Sequence, residues 1–345
     1  MIRAQGKAAV LNRTMLLSAI VGMTAISAAA ADKSGKAEPN RPSLENRCAK
    51  VEAAEGTPAV PGGDIFGFTS PTDIGDPCSF GLSLELTGLA GKRDGRYASV
   101  TDKTQFSYTY SDRIAFAFSA FATHTRWREV SVAQDALLGA GDGVFLTSVN
   151  RLDFDGLSGE VLINAVARSP GQPFAVTLAA EPRWSRVDSL TGYRAEGYGS
   201  EFKLFADVAL TERLFAAMNL TYGLSRSRYD IANADWDDAS ATSASVALTL
   251  QLHAAEKQPV EGIFIGAEAR VLSEFEGLAL NRNVGNALFA GPTLAVAFKD
   301  GRMLNAVWTP QVAGRARPPS APGALDLDNF QRHQFRVKFS TPIGG

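Results

Sequence analysis

Residues 202–210 read FKLFADVAL, and apolar and polar side chains alternate along them. The even-numbered positions are apolar, whereas Lys203 and Asp207 fall on the opposite face. Because successive side chains of a β-strand point to opposite sides, this stretch predicts a strand with one apolar and one charged face. Similar stretches, roughly ten to fifteen residues long, recur between residues 80 and 339. They are typical of a barrel with hydrocarbon outside and a polar lumen inside.

Length, charge and hydropathy exclude several classes of protein. The chain has 345 residues, a formal net charge of −2 and 45% hydrophobic residues, and its mean hydropathy is −0.04. This balance does not indicate a basic surface for nucleic acid, so no nucleic-acid partner is expected. Beyond the N-terminus, no uninterrupted apolar run reaches the ~18 residues of a membrane-spanning helix. A near-zero mean hydropathy is compatible with membrane strands, because every second residue is polar.

The N-terminus has the layout of a secretory signal peptide. Arg3 and Lys7 begin a basic segment, and residues 15–30 are apolar and rich in small side chains. Alanines at 28–31 offer small-residue cleavage sites. We therefore predict a signal peptide over residues 1–31, with a retained membrane anchor as the alternative.

The next segment, residues 32–79, is rich in Ala, Pro, Gly, Glu and Lys and shows no sustained period. We interpret it as an irregular periplasmic N-terminal extension. Its more apolar piece, IFGF at 65–68, could instead dock in the barrel mouth. The two cysteines of the chain, Cys48 and Cys78, both fall in this extension. Since an exported chain meets an oxidising compartment, we expect a disulfide between them, with two unpaired thiols as the alternative.

Residues 80–345 contain about twelve strand candidates, an even number as in single-chain bacterial barrels. Tight turns follow the even-numbered candidates, for example at Asp300-Gly301, and longer polar loops follow the odd-numbered ones. We therefore predict an all-β fold, a transmembrane antiparallel up-and-down β-barrel with both termini on the periplasmic side. A soluble sandwich, the main rival, would favour strands of about five or six residues.

Aromatic residues near the predicted strand ends are candidates for the girdles at the two membrane interfaces. Some of them are expected to pack in loops instead. The candidates are Tyr108, Tyr110, Trp127, Trp184, Tyr198, Tyr229 and Trp308.

The last strand candidate carries a C-terminal pattern. Residues 333–339 read HQFRVKF, in which Phe335 and Phe339 share an apolar face. By these residues the chain resembles Gram-negative outer-membrane β-barrels of a porin-like or transporter-like kind, over residues 80–339. The tail 340–345 departs from the usual ending. The resemblance implies an outer-membrane location, contact with outer-membrane lipid and assembly by the barrel insertion machinery; it implies no particular substrate.

Charged residues on the face opposite the apolar rows are the candidates for a lumen lining. Acidic and basic side chains are mixed, which fits either an interior of ion pairs or a narrow water-filled channel that selects solutes. Twelve strands give an interior between the filled eight-stranded barrels and the open sixteen-stranded porins. The predicted lining residues are Glu160, Arg183, Glu201, Lys203, Asp207, Glu268, Arg270, Arg336 and Lys338.

The favoured function is porin-like: passive passage of a small-molecule solute through this lumen. The alternative is a closed barrel with a structural or surface-interaction role. A barrel-embedded lipid hydrolase is less favoured, because no spacing ties His124, His253 or His333 to a nucleophile. We expect no enzymatic activity, no cofactor and no metal site; the acidic run at 235–238 is interpreted as a solvated loop rather than a calcium site.

Overall fold

The structure is a computed structural model. The predicted signal peptide and most of the predicted extension lie outside its described residues. These are Cys48 and residues 63–139, 146–169, 172–252, 259–318 and 323–343.

Antiparallel strands make up almost all of the described chain, and a single helix, α1 (Ser131–Gly139), is described between the third and fourth strands. The strands are β1 (Phe80–Ala90), β2 (Arg96–Thr109), β3 (Ile114–Arg128), β4 (Ser148–Val166), β5 (Phe174–Val187), β6 (Arg194–Ala209), β7 (Leu214–Tyr229), β8 (Asp237–Leu252), β9 (Val260–Glu276), β10 (Arg282–Phe298), β11 (Met303–Ala316) and β12 (His333–Ile343).

The twelve strands close into one barrel. Each strand pairs with its neighbours in the chain, and β12 closes the sheet by pairing with β1, from Phe80 opposite Ile343 to Ala90 opposite His333. The predicted all-β, antiparallel, up-and-down barrel of twelve strands is therefore confirmed. Among the described residues, no helix has the length and apolar character needed to cross a membrane.

Alternation along the strands separates an apolar exterior from a polar interior. On β3, Phe116 and Phe118 are exposed, whereas Ser119, Thr123 and Thr125 on the opposite face are buried. The other strands repeat the pattern, with exposed Leu, Val, Ile and Phe outside. An apolar outer surface of this extent matches the hydrocarbon-facing band of a membrane barrel.

Turns and loops lie at opposite rims. The short-turn rim carries the turns at 110–113, 210–213 and 299–302, together with the first residue of β1 and the last of β12. The loop rim carries the connections that follow the odd-numbered strands. The predicted excess of loop length is concentrated in 129–147 and 317–332, since the remaining loops are short.

Several strands are longer than the ten to fifteen residues that the sequence predicts. The longest are β4, with 19 residues, and β9 and β10, with 17 residues each. Pro342 lies within β12 opposite Gly81. A proline is tolerated there because it stands at the very end of a strand.

A β-bulge in β4 changes which side chains face the interior. The pairing with β3 shifts between Phe121 opposite Gly156 and Ala122 opposite Phe154, so Asp155 is the extra residue. Both Asp155 and Ser158 are consequently buried on the inner face, although three positions separate them. Gly156 has a φ of 155°, and a Cβ there would overlap the carbonyl oxygen of Trp184 on β5.

We predict that Gly156→Ala lowers the free energy of unfolding by roughly 1–3 kcal/mol, because the backbone must move to admit the methyl group. Urea unfolding of the refolded protein in detergent micelles, followed by tryptophan fluorescence, measures the loss. Gly159→Ala is the matched control, since a Cβ at Gly159 on the same strand meets nothing within 4 Å. Equal stability of the two variants would contradict the role assigned to the bulge.

Candidate functional site in the barrel interior

Part of the predicted extension lies inside the barrel. We call residues 63–79 the inserted segment; it leads directly into β1. Ile65 and Phe66 are fully buried and form an apolar cluster with Phe215, Phe264 and other residues of the wall. Two large apolar side chains without water contact give such a segment a strong hydrophobic anchor, of about 1.5–3 kcal/mol each.

Thr69 is held by two wall residues near the middle of the barrel. The backbone N–H of Thr69 donates to Glu268 Oε2 at 3.1 Å, and its hydroxyl donates to Ser245 Oγ at 2.8 Å. Glu268 and Ser245 are buried. Buried polar groups of an irregular segment need partners of this kind, because no strand ladder supplies them.

Two arginines of the barrel strands contact Gly67 and Phe68, which form the tip of the inserted segment. The guanidinium of Arg270 lies 4.1 Å from the centre of the Phe68 ring, and that of Arg336 lies 5.4 Å from it. Arg336 also donates to the carbonyl oxygen of Gly67. A Cβ at Gly67 would overlap Glu268 Oε2 and come within 2.7 Å of Thr293 Cγ2. The tip is therefore packed against the wall on several sides.

The returning part of the segment is bound at Thr72. Its N–H and hydroxyl donate to the same Asp207 oxygen, at 2.7 and 2.9 Å. The hydroxyl of Thr177 donates to the carbonyl of Thr72 at 2.7 Å. Asp207 also forms an ion pair with Arg168. Thr72 thus has every backbone and side-chain polar group paired with the wall.

The entering part of the segment is bound at Asp64. Its carboxylate forms an ion pair with Lys338. The side-chain amide of Asn305, which is buried, donates to the carbonyls of Asp64, at 3.1 Å, and of Phe66. The segment is therefore bound along its whole course by side chains of the barrel.

A second group of interior charges surrounds Lys203 of β6. Its ammonium group lies 3.2 Å from Glu160 Oε1 and 3.2 Å from Glu201 Oε2, and it also pairs with Glu181. Lys103 approaches Glu181 at 3.4 Å. The Glu201 side chain keeps 54% of its surface exposed, whereas that of Lys203 keeps 14%. Water therefore reaches one side of this cluster.

Arg183 is a further charged residue of the interior. It pairs with Asp155 at 2.6 Å, and Asp155 also accepts a hydrogen bond from Thr123. The guanidinium lies 4.2 Å from the centre of the Phe121 ring. Its side chain retains 39% exposure, which marks a second point of contact with solvent inside the barrel.

The loop rim is narrowed by packed aromatic residues. Trp127 is buried, and its indole N–H donates to the carbonyl of Thr191 at 2.7 Å. Tyr97 donates to the carbonyl of Ser189 at 2.8 Å, and Leu137 of α1 joins the same apolar cluster. The assignment of Trp127 to an interfacial girdle is therefore wrong. On β3 the odd positions face inward, and Trp127 follows that phase.

The nine residues predicted from the sequence all contact partners in the interior, and they fall into two sets. One set surrounds Lys203 or lies beside it: Glu160, Glu201 and Arg183. The other set binds the inserted segment: Asp207, Glu268, Arg270, Arg336 and Lys338.

Sequence reasoning did not identify the partners on the segment, Asp64, Thr69 and Thr72, nor Asn305 on the wall. Their only sequence signal is the apolar piece at 65–68, which marks an anchor but no hydrogen bonds.

The two cysteines are disulfide-bonded, with 5.2 Å between the Cα atoms of Cys48 and Cys78.

The two histidines that the structure describes, His124 and His333, lie away from the interior sites. His124 Nε2 lies 2.9 Å from Asn150 Oδ1 in an exposed contact, and the His333 ring lies 6.0 Å from that of Trp308. His253 lies outside the described residues. In the part of the chain that the structure describes, no group of His, Cys, Asp and Glu is arranged to hold a metal ion.

A closed barrel with an apolar exterior and a charged interior defines the class of outer-membrane β-barrels. The chain belongs to a family of unknown function (DUF6662), which it matches over residues 58–342. No curated protein matches the sequence.

Solved barrels resemble the chain in fold. The β domain of the Bordetella autotransporter BrkA has 14% identity and a TM-score of 0.46, covering 76% of this chain and 99% of that one. The translocator domain of the autotransporter NalP from Neisseria meningitidis has 13% identity and a TM-score of 0.41, covering 77% and 88%. The NanC porin has 9% identity and a TM-score of 0.38, covering 76% and 100%. These likenesses concern the fold alone.

Lys203 is the only cation in contact with three interior carboxylates among the described ion pairs. We predict that Lys203→Met lowers the free energy of unfolding by about 3–5 kcal/mol, because among the described ion pairs it leaves Glu160 without a cation and Glu181 with Lys103 alone. Urea unfolding in micelles measures the change. Arg302→Met is the control, because it removes an exposed pair with Asp300, and exposed pairs contribute little to stability. A similar small effect at both positions would show that the interior cluster is fully solvated.

Lys92, in the loop after β1, is buried at the loop rim. Its ammonium group donates to the carbonyls of Asp328 and Asn329 at 3.1 and 3.0 Å. Burial lowers the pKa of Lys92 from 10.5 to about 8, and the nearby carboxylates of Glu274 and Asp326 offset this only in part. Folding therefore favours the neutral amine.

Between pH 8 and 10.5 the unfolded chain still holds this proton, whereas the folded protein has released it. The free energy of unfolding should therefore rise across that window, by up to about 3 kcal/mol from this group. Urea unfolding at both ends of the window, in the wild type and in Lys92→Met, isolates the contribution from other titrating groups. An identical pH dependence in the two proteins would contradict the burial of the ammonium group.

Proposed function

We propose that this protein is a porin-like channel of the Gram-negative outer membrane, through which a small solute passes passively. The observation that carries the proposal is the charged and partly solvated group of interior side chains around Lys203 and Arg183. Glu201 and Arg183 keep 54% and 39% of their side-chain surfaces exposed although they belong to the interior. Charged side chains in contact with interior water are the usual lining of a selective pore.

The inserted segment would keep this channel closed at the short-turn rim. Its contacts with Asp207, Glu268, Arg336 and Lys338 involve residues from three different strands around the barrel, β6, β9 and β12. A solute could pass only after the segment withdraws or shifts. The predicted lining residues would then have two roles, because they bind the segment in the closed state and line the passage in the open one.

We place the short-turn rim, and with it both termini, in the periplasm, and the loop rim outside the cell. Short periplasmic turns and longer extracellular loops are the rule for such barrels, and loops 129–147 and 317–332 support this orientation. Outer-membrane lipid would surround the apolar exterior, and the barrel insertion machinery would assemble the chain.

The alternative is a permanently closed barrel with a structural or surface-interaction role. The full burial of Ile65 and Phe66 favours it, because a segment so well packed resists withdrawal. A non-enzymatic role is proposed in either case. A lipid hydrolase is the least favoured, since His124 and His333 pair with an exposed asparagine and a tryptophan rather than with a nucleophile.

Single-channel conductance in planar bilayers tests the channel. We predict that the double variant Ile65→Asp and Phe66→Asp conducts in discrete, long-lived steps, whereas the wild type is mostly closed. Two carboxylates cannot remain in the apolar cluster without a large desolvation cost, so the segment should leave the interior. Heat-modifiable migration in gels shows that the barrel itself still folds.

Ile74→Asp is the matched control, because Ile74 lies in the same segment and is only half-buried; this variant should behave like the wild type. A folded double variant that stays silent would contradict the channel and favour the closed-barrel alternative. Equal opening in the control would mean that added charge, rather than release of the anchor, opens the barrel.

A further inference from the structure

The outer surface of the barrel is asymmetric in charge. On the half formed by β2 to β7, the outward-facing positions near the loop rim carry a row of arginines and one carboxylate, Glu196. We call this row the arginine belt; it consists of Arg96, Arg126, Arg128, Arg186, Arg194, Arg226 and Arg228, all exposed.

The short-turn rim has no such excess. Its basic residues stand next to acidic ones in the same turns, at Asp112-Arg113, Glu212-Arg213 and Asp300 with Arg302. Arg302 and Asp300 form an ion pair at 2.6 Å. The belt is therefore a property of one rim and not of the net charge, which is −2 for the whole chain.

Three belt arginines share a cleft on neighbouring strands. Arg186 of β5, Arg194 of β6 and Arg228 of β7 border a cleft of about 830 Å³, together with Phe154 and Trp184. Strand pairing brings them together, since Val187 lies opposite Arg194 and Glu196 lies opposite Arg228. The cleft combines cationic groups with apolar and aromatic surface.

Acidic groups neutralise only part of this cleft. Glu196 pairs with Arg228 at 3.3 Å, and Asp153 pairs with Arg151 at 3.1 Å. Asp230 is a further acidic residue of its border. Within the described residues, Arg186 and Arg194 form no ion pair, so two guanidinium groups remain available to an anion.

We propose that this cleft binds the phosphate group of a lipid in the membrane leaflet at the loop rim. Arginine presents a planar fork of donors that matches phosphate oxygens in a bidentate way. The lipid assignment follows from position, because exposed Leu152 and Phe154 lie beside the cleft on the hydrocarbon-facing surface. A water-soluble anion has no apolar part to contact that surface, whereas a lipid buries its acyl chains against it.

The belt would then orient the barrel in the membrane. Arg226 and Arg228 lie 5.6 and 4.9 Å from the Trp236 ring centre, and exposed Tyr198 packs at 6.2 Å from the same ring. Aromatic and basic side chains at one level mark the boundary between headgroups and hydrocarbon. The binding site is independent of whether the interior conducts.

Native mass spectrometry of the refolded full-length protein in detergent tests the site. The probe is dimyristoyl phosphatidic acid, and the matched ligand is dimyristoyl glycerol, which lacks only the phosphate. We expect the variant R186Q/R194Q/R228Q to bind phosphatidic acid about 10- to 100-fold more weakly than the wild type does. The control R113Q/R213Q/R302Q removes the same charge from the short-turn rim and should bind like the wild type.

Three outcomes would overturn the proposal: unchanged binding in the loop-rim variant, an equal loss in the control, or equal binding of the glyceride by the wild type. Competition by inorganic phosphate distinguishes a lipid site from a simple anion site. If free phosphate displaces phosphatidic acid fully at equal concentration, the cleft is an anion site and the proposal is wrong. Heat-modifiable migration verifies folding. The single variant R194Q, which breaks no ion pair among the described residues, gives the same test with less perturbation and an expected loss of about 5-fold.

Discussion

The closing pair of strands, β1 with β12, is the constraint on which the other features depend. In hydrocarbon, every backbone N–H and C=O must find a partner within the protein, and an open sheet edge has none. The register from Phe80–Ile343 to Ala90–His333 removes both edges at once. Once the sheet is closed, side chains can point only outward to lipid or inward to the lumen. The alternation read along each strand therefore becomes a physical separation of apolar from charged residues.

Closure also creates a space that side chains alone do not fill. Eight strands enclose an interior that side chains fill, and a barrel of twelve strands is wider. Here the inserted segment occupies one part of the interior, and the Lys203 cluster occupies another. A segment without regular structure leaves its backbone groups unpaired. The wall supplies partners through Asn305, Arg336 and Glu268, which explains why many interior polar side chains bond to backbone atoms rather than to one another.

Much of this was predictable, for a definite reason. Alternation gives the phase of each strand, and phase alone assigned residues such as Lys203 and Asp207 to the interior. Trp127 was assigned to the membrane interface because it lies near a strand end. Its odd-numbered position on β3, which points inward, was not considered. The inserted segment carries no period, so the sequence could mark Ile65 and Phe66 as an apolar piece but could not show where they pack. Contacts such as Thr72 with Asp207 join residues far apart in sequence, and no local pattern encodes them.

The covalent connections of the inserted segment limit how it can move. At one end it continues into β1, which is paired on both sides. At the same end, the disulfide from Cys78 to Cys48 closes the chain into a loop with a sequence separation of 30. A loop tied in this way cannot diffuse away from the barrel, and its effective concentration near the interior stays high. If the apolar anchor at Ile65 and Phe66 releases, the segment is thus expected to return to the same site, and closure would be reversible without unfolding of any strand. The disulfide therefore limits the range of any such motion, because it joins Cys78, two residues before β1, to Cys48.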